Sequence, residues 1–193
     1  MGVPVFHTGP MTVEEFYSFI ETRPDDGKWE LIDGQPILNA WPSDIHQTIV
    51  KNILFALTAF ERQPAEVAWR VLPGLGVRVA ETRRPEPDVV VIPKVGKSAD
   101  PYNRDRDDAI VIFEILSPST EGRDLRWKRT AYTSLASLTH YVVVAQDAVE
   151  VVVFARVADF AERRLLSIND VVELPSVGIS LRLAEIYRDT GLV

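Results

Sequence analysis

The stretch Ala109-Ile-Val-Ile-Phe-Glu-Ile-Leu116 is the most informative part of the sequence. Apart from Glu114 it is wholly apolar, which is typical of a central strand that is covered on both faces. Strand alternation places Glu114 on one face together with Ile112 and Leu116. A carboxylate in such a strand is costly unless it is paired or bound to a metal ion. The stretch therefore predicts a buried sheet with a tightly paired or functional acid near its centre.

A second apolar strand, Pro87-Asp88-Val-Val-Val-Ile92, begins with an acid. If this strand neighbours the first, Asp88 and Glu114 bring two carboxylates together, which repel each other unless a divalent cation or a shared proton lies between them. Their oxygens suit Mg²⁺ or, as a substitute, Mn²⁺ better than zinc. On this argument Glu114→Gln leaves the stability of the metal-free protein unchanged or raises it. A paired structural residue is the alternative for each acid taken alone.

Lys128 belongs to the inward stripe of a predicted helix. Leu125, Lys128, Tyr132 and Leu135 recur there at helical spacing. The ammonium either extends from the apolar stripe to solvent, as long basic side chains do, or faces the two carboxylates and stabilises negative charge on a phosphoryl group. On the second interpretation, Lys128→Ala slows the reaction and leaves folding intact.

Periodicity along the rest of the chain predicts a single domain over residues 1–193, of the α+β or mixed α/β class, with residues 1–10 as an N-terminal arm that is a candidate for disorder. Asp33-Gly34 predicts a hairpin, in which Pro36 confines the second strand to a sheet edge. The polar stretch Lys94–Asp108 is predicted to be a loop. The predicted helices are Thr12–Glu21, Ser43–Glu61, Glu121–Ala136 and Leu183–Asp189. The predicted strands are Lys28–Ile32, Gln35–Ala40, Glu66–Leu72, Gly76–Ala80, Asp88–Ile92, Ile110–Leu116, Thr139–Ala145, Val149–Ala155 and Leu165–Ile168.

Composition excludes several classes of protein. The 193 residues are 46% hydrophobic and 25% charged, which is ordinary for a folded domain and unlike a disordered chain. The absence of cysteine excludes disulfides, thiolate zinc sites, iron–sulfur clusters and a cysteine nucleophile. No signal peptide or membrane-length apolar run is recognisable, so we expect a cytoplasmic protein without a membrane partner.

The net charge of −7 means that any contact with nucleic acid must use a local basic patch. Basic residues cluster just before Asp88 and again along the helix that carries Lys128. Each cluster is either a solvated surface or a contact for a phosphodiester backbone. The candidates for contact with nucleic acid are Arg83, Arg84, Arg123 and Arg126.

Four strings occur in an order that resembles the Uma-two family, a bacterial group within the PD-(D/E)xK nuclease superfamily. They are Lys28-Trp-Glu-Leu-Ile-Asp-Gly34, Pro87-Asp88 before a Val/Ile strand, Phe113-Glu-Ile-Leu-Ser-Pro-Ser-Thr120, and Asp124-Leu-Arg-Trp-Lys128 followed by Tyr132. The resemblance extends from about Met11 to Asp189. It implies a restriction-endonuclease-like core, a mixed sheet flanked by helices, with Mg²⁺ bound by Asp88 and Glu114.

The resemblance also implies roles for further residues. In this superfamily the lysine usually lies two residues after the acid, where this chain has Leu116, and Lys128 matches the position of a lysine supplied by the following helix. With Asp88 and Glu114, the main-chain carbonyl of Ile115 would hold the metal. Three further residues are of second rank. Glu30, which matches the family's acidic marker, is a water-mediated ligand or a structural acid. By its own position at the apolar start of a predicted helix, His46 is a group that positions water or phosphate or a structural histidine, and Tyr132 lies beside Lys128.

These observations predict a magnesium-dependent endonuclease that hydrolyses phosphodiester bonds in nucleic acid, with DNA as the expected substrate. Because an acidic protein gains duplex affinity by presenting two basic patches, we also expect a homodimer. Two other functions stay open. One is a non-catalytic nucleic-acid-binding or interaction module that retains the fold, and the other is a metal-free enzyme such as a glycosidase, which uses two carboxylates for acid–base work.

Overall fold

The computed structural model of the protein describes residues 3–4, 9–23, 27–63, 67–95, 103–116 and 123–193. The strands are β1 (Val3–Pro4), β2 (Lys28–Ile32), β3 (Gln35–Asn39), β4 (Trp69–Pro73), β5 (Gly76–Val77), β6 (Val89–Pro93), β7 (Asp105–Arg106), β8 (Val111–Leu116), β9 (His140–Ala145), β10 (Val151–Ala155), β11 (Glu162–Leu165), β12 (Val171–Leu174) and β13 (Ile179–Arg182). The helices are α1 (Val13–Glu21), α2 (Asp44–Glu61), α3 (Arg123–Thr133) and α4 (Leu183–Ile186).

The main sheet has six strands in the order β11-β10-β9-β8-β6-β4. The β8–β9 pair is parallel and the other pairs are antiparallel, so the sheet is mixed. Strand β8 lies between β6 and β9, and every residue from Val111 to Ile115 is buried. The prediction of a central strand covered on both faces, and of a mixed sheet flanked by helices, is therefore confirmed.

Helices α2 and α3 lie on opposite faces of the sheet. The Ser43 side chain caps α2 by accepting from the His46 N–H, and Ile49, Ile53 and Leu57 form its buried stripe. These residues pack in one core cluster with the β8 residue Phe113. A second cluster contains residues of the opposite sheet face, of α3 and of the segment that follows α3; it includes Val90, Ile112, Tyr132, Leu135 and Tyr141. Since Glu114 alternates with Phe113 along the strand, its side chain faces α3.

A small sheet, β1-β3-β2, lies beside the main sheet. Asp33 and Gly34 both have positive φ, 48° and 78°, as a two-residue hairpin turn of this kind requires. The prediction that β3 is an edge strand is wrong, because β1 pairs with Ile37 and Leu38 on its other side. Backbone bonds between Leu31 and Arg84 join this hairpin to the chain segment that leads into β6.

Several short elements differ from the sequence prediction. Strand β7 lies in the predicted loop, where it pairs with a β5 that is shorter than expected. The strand predicted at Leu165–Ile168 lies earlier, at Glu162–Leu165, because its mostly exposed residues pair through the backbone with β10. The hairpin of β12 and β13 was not predicted, although its residues alternate between buried and exposed. The described helices include none that is long and apolar enough to span a membrane.

Candidate functional site

The strand register brings the two predicted acids together. Strands β6 and β8 pair with Val89 opposite Phe113 and Val90 opposite Ile112. Extending this register by one residue sets Asp88, just before β6, beside Glu114, and Asp88 Oδ2 accepts a hydrogen bond from the N–H of Ile115, the residue after Glu114. Both carboxylates are almost fully buried. The expected juxtaposition of two costly carboxylates is therefore present in the fold.

Asp88 is held by groups from three different elements. Its Oδ1 atom accepts a hydrogen bond from Lys28 Nζ of β2 at 2.7 Å and lies 3.3 Å from His46 Nε2 of α2. Its Oδ2 atom accepts from the Ile115 N–H of β8 at 2.8 Å. Burial alone would raise the pKa of Asp88, but the hydrogen bond from His46 and the charge of Lys28 hold this pKa well below its usual value. Asp88 is thus a fixed carboxylate at neutral pH.

Glu114 has a different environment, on the α3 side of the sheet. Lys128 Nζ lies 3.0 Å from its Oε1 and 3.1 Å from its Oε2, and the Tyr132 hydroxyl donates to Oε1 at 2.8 Å. Burial raises the pKa of Glu114; the charge of Lys128 opposes this rise, whereas the charge of Asp88 adds to it. Glu114 is therefore the acid of the pair that accepts a proton more readily than usual.

Glu30 is a third buried carboxylate in the same cluster. Its Oε1 lies 2.9 Å from Lys128 Nζ and accepts from the Glu86 N–H, while its Oε2 accepts from Asn39. Although burial opposes ionisation, the charges of Lys128 and Lys28 lower the pKa of Glu30. Glu30 and Glu114 thus share one counter-ion, the ammonium of Lys128.

Lys128 is positioned by the helix register and by its neighbour. Trp127 donates from its indole nitrogen to Asp33 at 2.8 Å, which ties α3 to the β2–β3 hairpin. Burial alone would lower the pKa of Lys128, but the carboxylates of Glu114 and Glu30 raise it well above its usual value. Lys128 faces the carboxylates as a permanent cation and does not extend to solvent.

Two members of the cluster were missed in the sequence. Lys28 stands two residues before Glu30 on β2, so strand alternation places both side chains on one face. Because Glu30 was already a candidate, this spacing of two residues could have indicated that Lys28 belongs to the same site. Tyr141 of β9 contacts the ring of Tyr132 at a centroid distance of 5.3 Å, and its buried hydroxyl has no hydrogen-bond partner among the described residues. Nothing in the apolar string that contains Tyr141 indicated this placement.

The predicted basic contacts have very different surroundings. Arg84 is buried and donates to Glu86 and to the main-chain carbonyls of Trp29 and Arg104, which counts against a phosphate contact. Arg83 is partly exposed and paired with Asp33. The remaining two candidates lie on α3: Arg126 is exposed, and the side chain of Arg123 is outside the described part of the structure.

The donor set fits a hard divalent cation in charge and chemistry. The described cluster contains three carboxylates (Glu30, Asp88 and Glu114) and two ammonium groups (Lys28 and Lys128), so it has one negative charge in excess. No group of three His, Asp or Glu side chains among the described residues is arranged around one metal position. A cation between Asp88 and Glu114 therefore needs a further oxygen. The Ile115 carbonyl points to the same strand edge as the Ile115 N–H that meets Asp88.

Comparisons with known proteins agree with this architecture. The model of the Uma2 family, described as "Putative restriction endonuclease", matches residues 13–184. The fold is similar to the crystal structure of a "putative nuclease belonging to DUF820 from Anabaena variabilis ATCC 29413", with a TM-score of 0.74 and 16% sequence identity over 92% of this chain and 98% of that chain. A search of curated proteins finds no match. Because the family match covers most of the chain, the protein belongs to the Uma2 family, the one that its sequence motifs predict.

Proposed function

We propose that this protein is a metal-dependent endonuclease that hydrolyses phosphodiester bonds in DNA. The observation that carries the proposal is that Asp88, which accepts from the Ile115 N–H, lies beside Glu114, and that the ammonium of Lys128 contacts Glu114. Two opposed carboxylates and a lysine suit phosphodiester hydrolysis, in which a cation and an ammonium offset the charge of the reacting phosphate. Family membership supports the same class of reaction.

The metal ligands in this proposal are Asp88, Glu114 and the main-chain carbonyl of Ile115. Oxygen ligands of this kind select Mg²⁺, with Mn²⁺ as a substitute. When bound, the ion supplies a water of lowered pKa and polarises the scissile phosphate. The excess negative charge of the cluster supports this assignment, because a bound cation would relieve the repulsion that Glu114 experiences from Asp88.

The remaining residues orient the site. Lys128, fixed by Glu30 and Glu114, offers a positive charge at a constant position next to the proposed metal ligands. Its charge is maintained across the physiological pH range, since both carboxylates raise its pKa. His46 orients Asp88 from α2, and Tyr132 orients Glu114 from α3. In this arrangement Lys128 stabilises the negative charge that develops on the phosphate.

A non-catalytic nucleic-acid-binding module is the second candidate function, and one observation favours it. Lys28 and Lys128 already neutralise most of the charge on the three carboxylates. Since buried acids that are paired in this way are stable without a metal ion, the same cluster would also serve a purely structural role. Such a protein would bind nucleic acid and leave it intact.

One experiment separates the two functions. Supercoiled plasmid and a single-stranded oligonucleotide are incubated with the protein in EDTA, Mg²⁺ or Mn²⁺, alongside the variants Asp88→Asn and Lys51→Met. Lys51 is an exposed lysine of α2 and controls for purification and surface charge. We expect metal-dependent cleavage by the wild type and Lys51→Met and none by Asp88→Asn. Intact substrate in every sample, or equal cleavage by Asp88→Asn, would refute the proposed nuclease.

A further inference from the structure

The two lysines of the cluster are held in different ways. Lys128 contacts both Glu30 and Glu114, and only 13% of its side chain is exposed. Lys28 pairs with the Oδ1 atom of Asp88, and 29% of its side chain is exposed. Lys128 is thus locked between two acids, whereas Lys28 lies at the solvent side of the cluster with a flexible stem.

The Oδ1 atom of Asp88 already has two neighbours in this structure, whereas Oδ2 has one described hydrogen bond. Oδ1 faces both Lys28 Nζ, at 2.7 Å, and His46 Nε2, at 3.3 Å. Oδ2 accepts from the Ile115 N–H. A carboxylate oxygen has about two lone-pair positions, so a cation that binds through Oδ1 must displace one of its two neighbours.

We propose that Lys28 is an internal counter-ion that competes with the divalent cation for Asp88 and leaves Asp88 when the cation binds. This inference rests on the proposed metal site. Lys28 keeps Asp88 charged and in place when no metal is bound, and thereby prevents an uncompensated buried carboxylate. The metal affinity of the site is then the difference between two binding free energies at Asp88 Oδ1, that of the divalent cation and that of the Lys28 ammonium.

Lys28 is the neighbour that moves, for a physical reason. An ammonium within hydrogen-bond distance of Asp88 would lie close to a divalent cation on the same oxygen, and the two positive charges repel strongly at that range. The side chain of His46, held on α2, is only about half as exposed as that of Lys28, so it has less room to leave. Lys128 also contacts a proposed ligand, Glu114, but its second contact, with Glu30, continues to hold it when the metal binds. Of these three side chains, that of Lys28 is the most exposed to solvent, so Lys28 is the one that can leave.

The first test is Mn²⁺ binding measured by electron paramagnetic resonance, without nucleic acid. We expect Lys28→Met to bind Mn²⁺ about 10-fold more tightly than the wild type, because the competing charge is gone. Lys28→Arg retains the competitor and should bind no more tightly than the wild type. Lys51→Met, which loses the same charge from the exposed face of α2, should match the wild type.

A second measurement uses the wild type, so it does not depend on the folding of any variant. Acetylation of Lys28 by acetic anhydride, followed by mass spectrometry, should become faster at saturating Mg²⁺, while acetylation of Lys51 stays constant. Equal or weaker Mn²⁺ binding by folded Lys28→Met, or an unchanged acetylation rate at Lys28, would overturn the inference. A wild type that binds no Mn²⁺ would instead overturn the proposed function itself, so the two failures are distinguishable.

Discussion

The ammonium of Lys128 lies 3.0 and 3.1 Å from the two carboxylate oxygens of Glu114. The same nitrogen lies 2.9 Å from Glu30 Oε1. One positive charge therefore serves two buried acids that come from different sheets. Removing this group takes the ammonium contact from both acids and leaves them only neutral hydrogen-bond donors, so a substitution at Lys128 should affect stability as well as activity.

Lys128→Ala should both abolish the proposed activity and weaken the fold. Removing one partner of a buried ion pair typically costs about 3–5 kcal/mol, because the other charge stays buried and unpaired. The sequence alone predicts that folding survives this substitution. The contacts with Glu30 and Glu114 instead predict a lower melting temperature, with a smaller loss at pH 5 than at pH 8, since acid neutralises the orphaned carboxylates.

Two comparisons make this prediction specific. Lys128→Met preserves the apolar stem and should be as inactive as Lys128→Ala while losing less stability. Lys51→Met changes an exposed residue of α2 and should melt like the wild type. Melting curves that are identical for Lys128→Ala and the wild type at pH 8 would mean that the ion pairs contribute nothing to stability.

Glu114→Gln should stabilise the metal-free protein at neutral pH. The pKa of Glu114 is raised above its usual 4.5, so the folded state binds a proton more readily than the unfolded state. Stability therefore falls as the pH rises from about 4.5 through the folded pKa, and the neutral amide avoids this loss. In urea unfolding with EDTA, the free energy of unfolding of the variant should exceed that of the wild type at pH 7.5 and equal it at pH 4.5. A clear destabilisation at pH 7.5 would show that the pairing with Lys128 outweighs the repulsion from Asp88.

Asp88→Asn should have the opposite effect on stability. The pKa of Asp88 is depressed, so its contribution to stability is present above the unfolded value of 3.8 and is lost as the pH falls through the folded value. At pH 7.5 we expect the substitution to cost about 1–3 kcal/mol, as expected when hydrogen bonds to a charged group are weakened. The same urea measurements check this. A variant more stable than the wild type would mean that Asp88, like Glu114, is under net repulsion.

Long apolar patterns made most of the fold predictable. The stripe of α2, the Asp33-Gly34 hairpin and the two apolar strands around Asp88 and Glu114 each carry a periodicity that tertiary contacts reinforce. Short strands such as β7 and β11 are held mainly by backbone pairing with partners that are remote in the chain. Their own residues carry no apolar pattern, and this is why local sequence could not place them.

The site was predictable where a charge interrupts an apolar pattern. Glu114 and Lys128 stand out in this way, and so does Asp88 at the start of its strand. Lys28 does not, because it directly follows a polar turn-like stretch, residues 24–27, at the very start of its strand. Its proximity to Asp88 arises only when the Leu31–Arg84 bonds dock the hairpin against the start of β6. The buried position of Arg84 follows from the same docking, so its role was also not readable from the sequence.

A homodimer is the expected state of the active protein. The chain has a net charge of −7, so duplex binding benefits from two basic patches on two subunits. Two subunits would also provide one site for each strand of a duplex. Multi-angle light scattering should give twice the mass of one chain, in EDTA or on addition of a non-cleavable duplex. A single-chain mass under both conditions would contradict the prediction.

Arg126 should contribute to nucleic-acid affinity through a phosphate contact. It is exposed on α3, two residues from Lys128 and therefore on the opposite side of the helix from the inward stripe. In EDTA, where no cleavage occurs, Arg126→Ala should weaken oligonucleotide binding regardless of sequence. It should also reduce the slope of log K against log salt by about 0.9 for a duplex, the value for one lost phosphate contact.

Lys51→Met on α2, across the sheet from α3, is the control of equal charge and should keep the full slope. Fluorescence anisotropy over a range of salt concentrations measures both. Equal slopes for Arg126→Ala and the wild type would place the interface away from this face of α3 and leave the partly exposed Arg83 as the next residue to test.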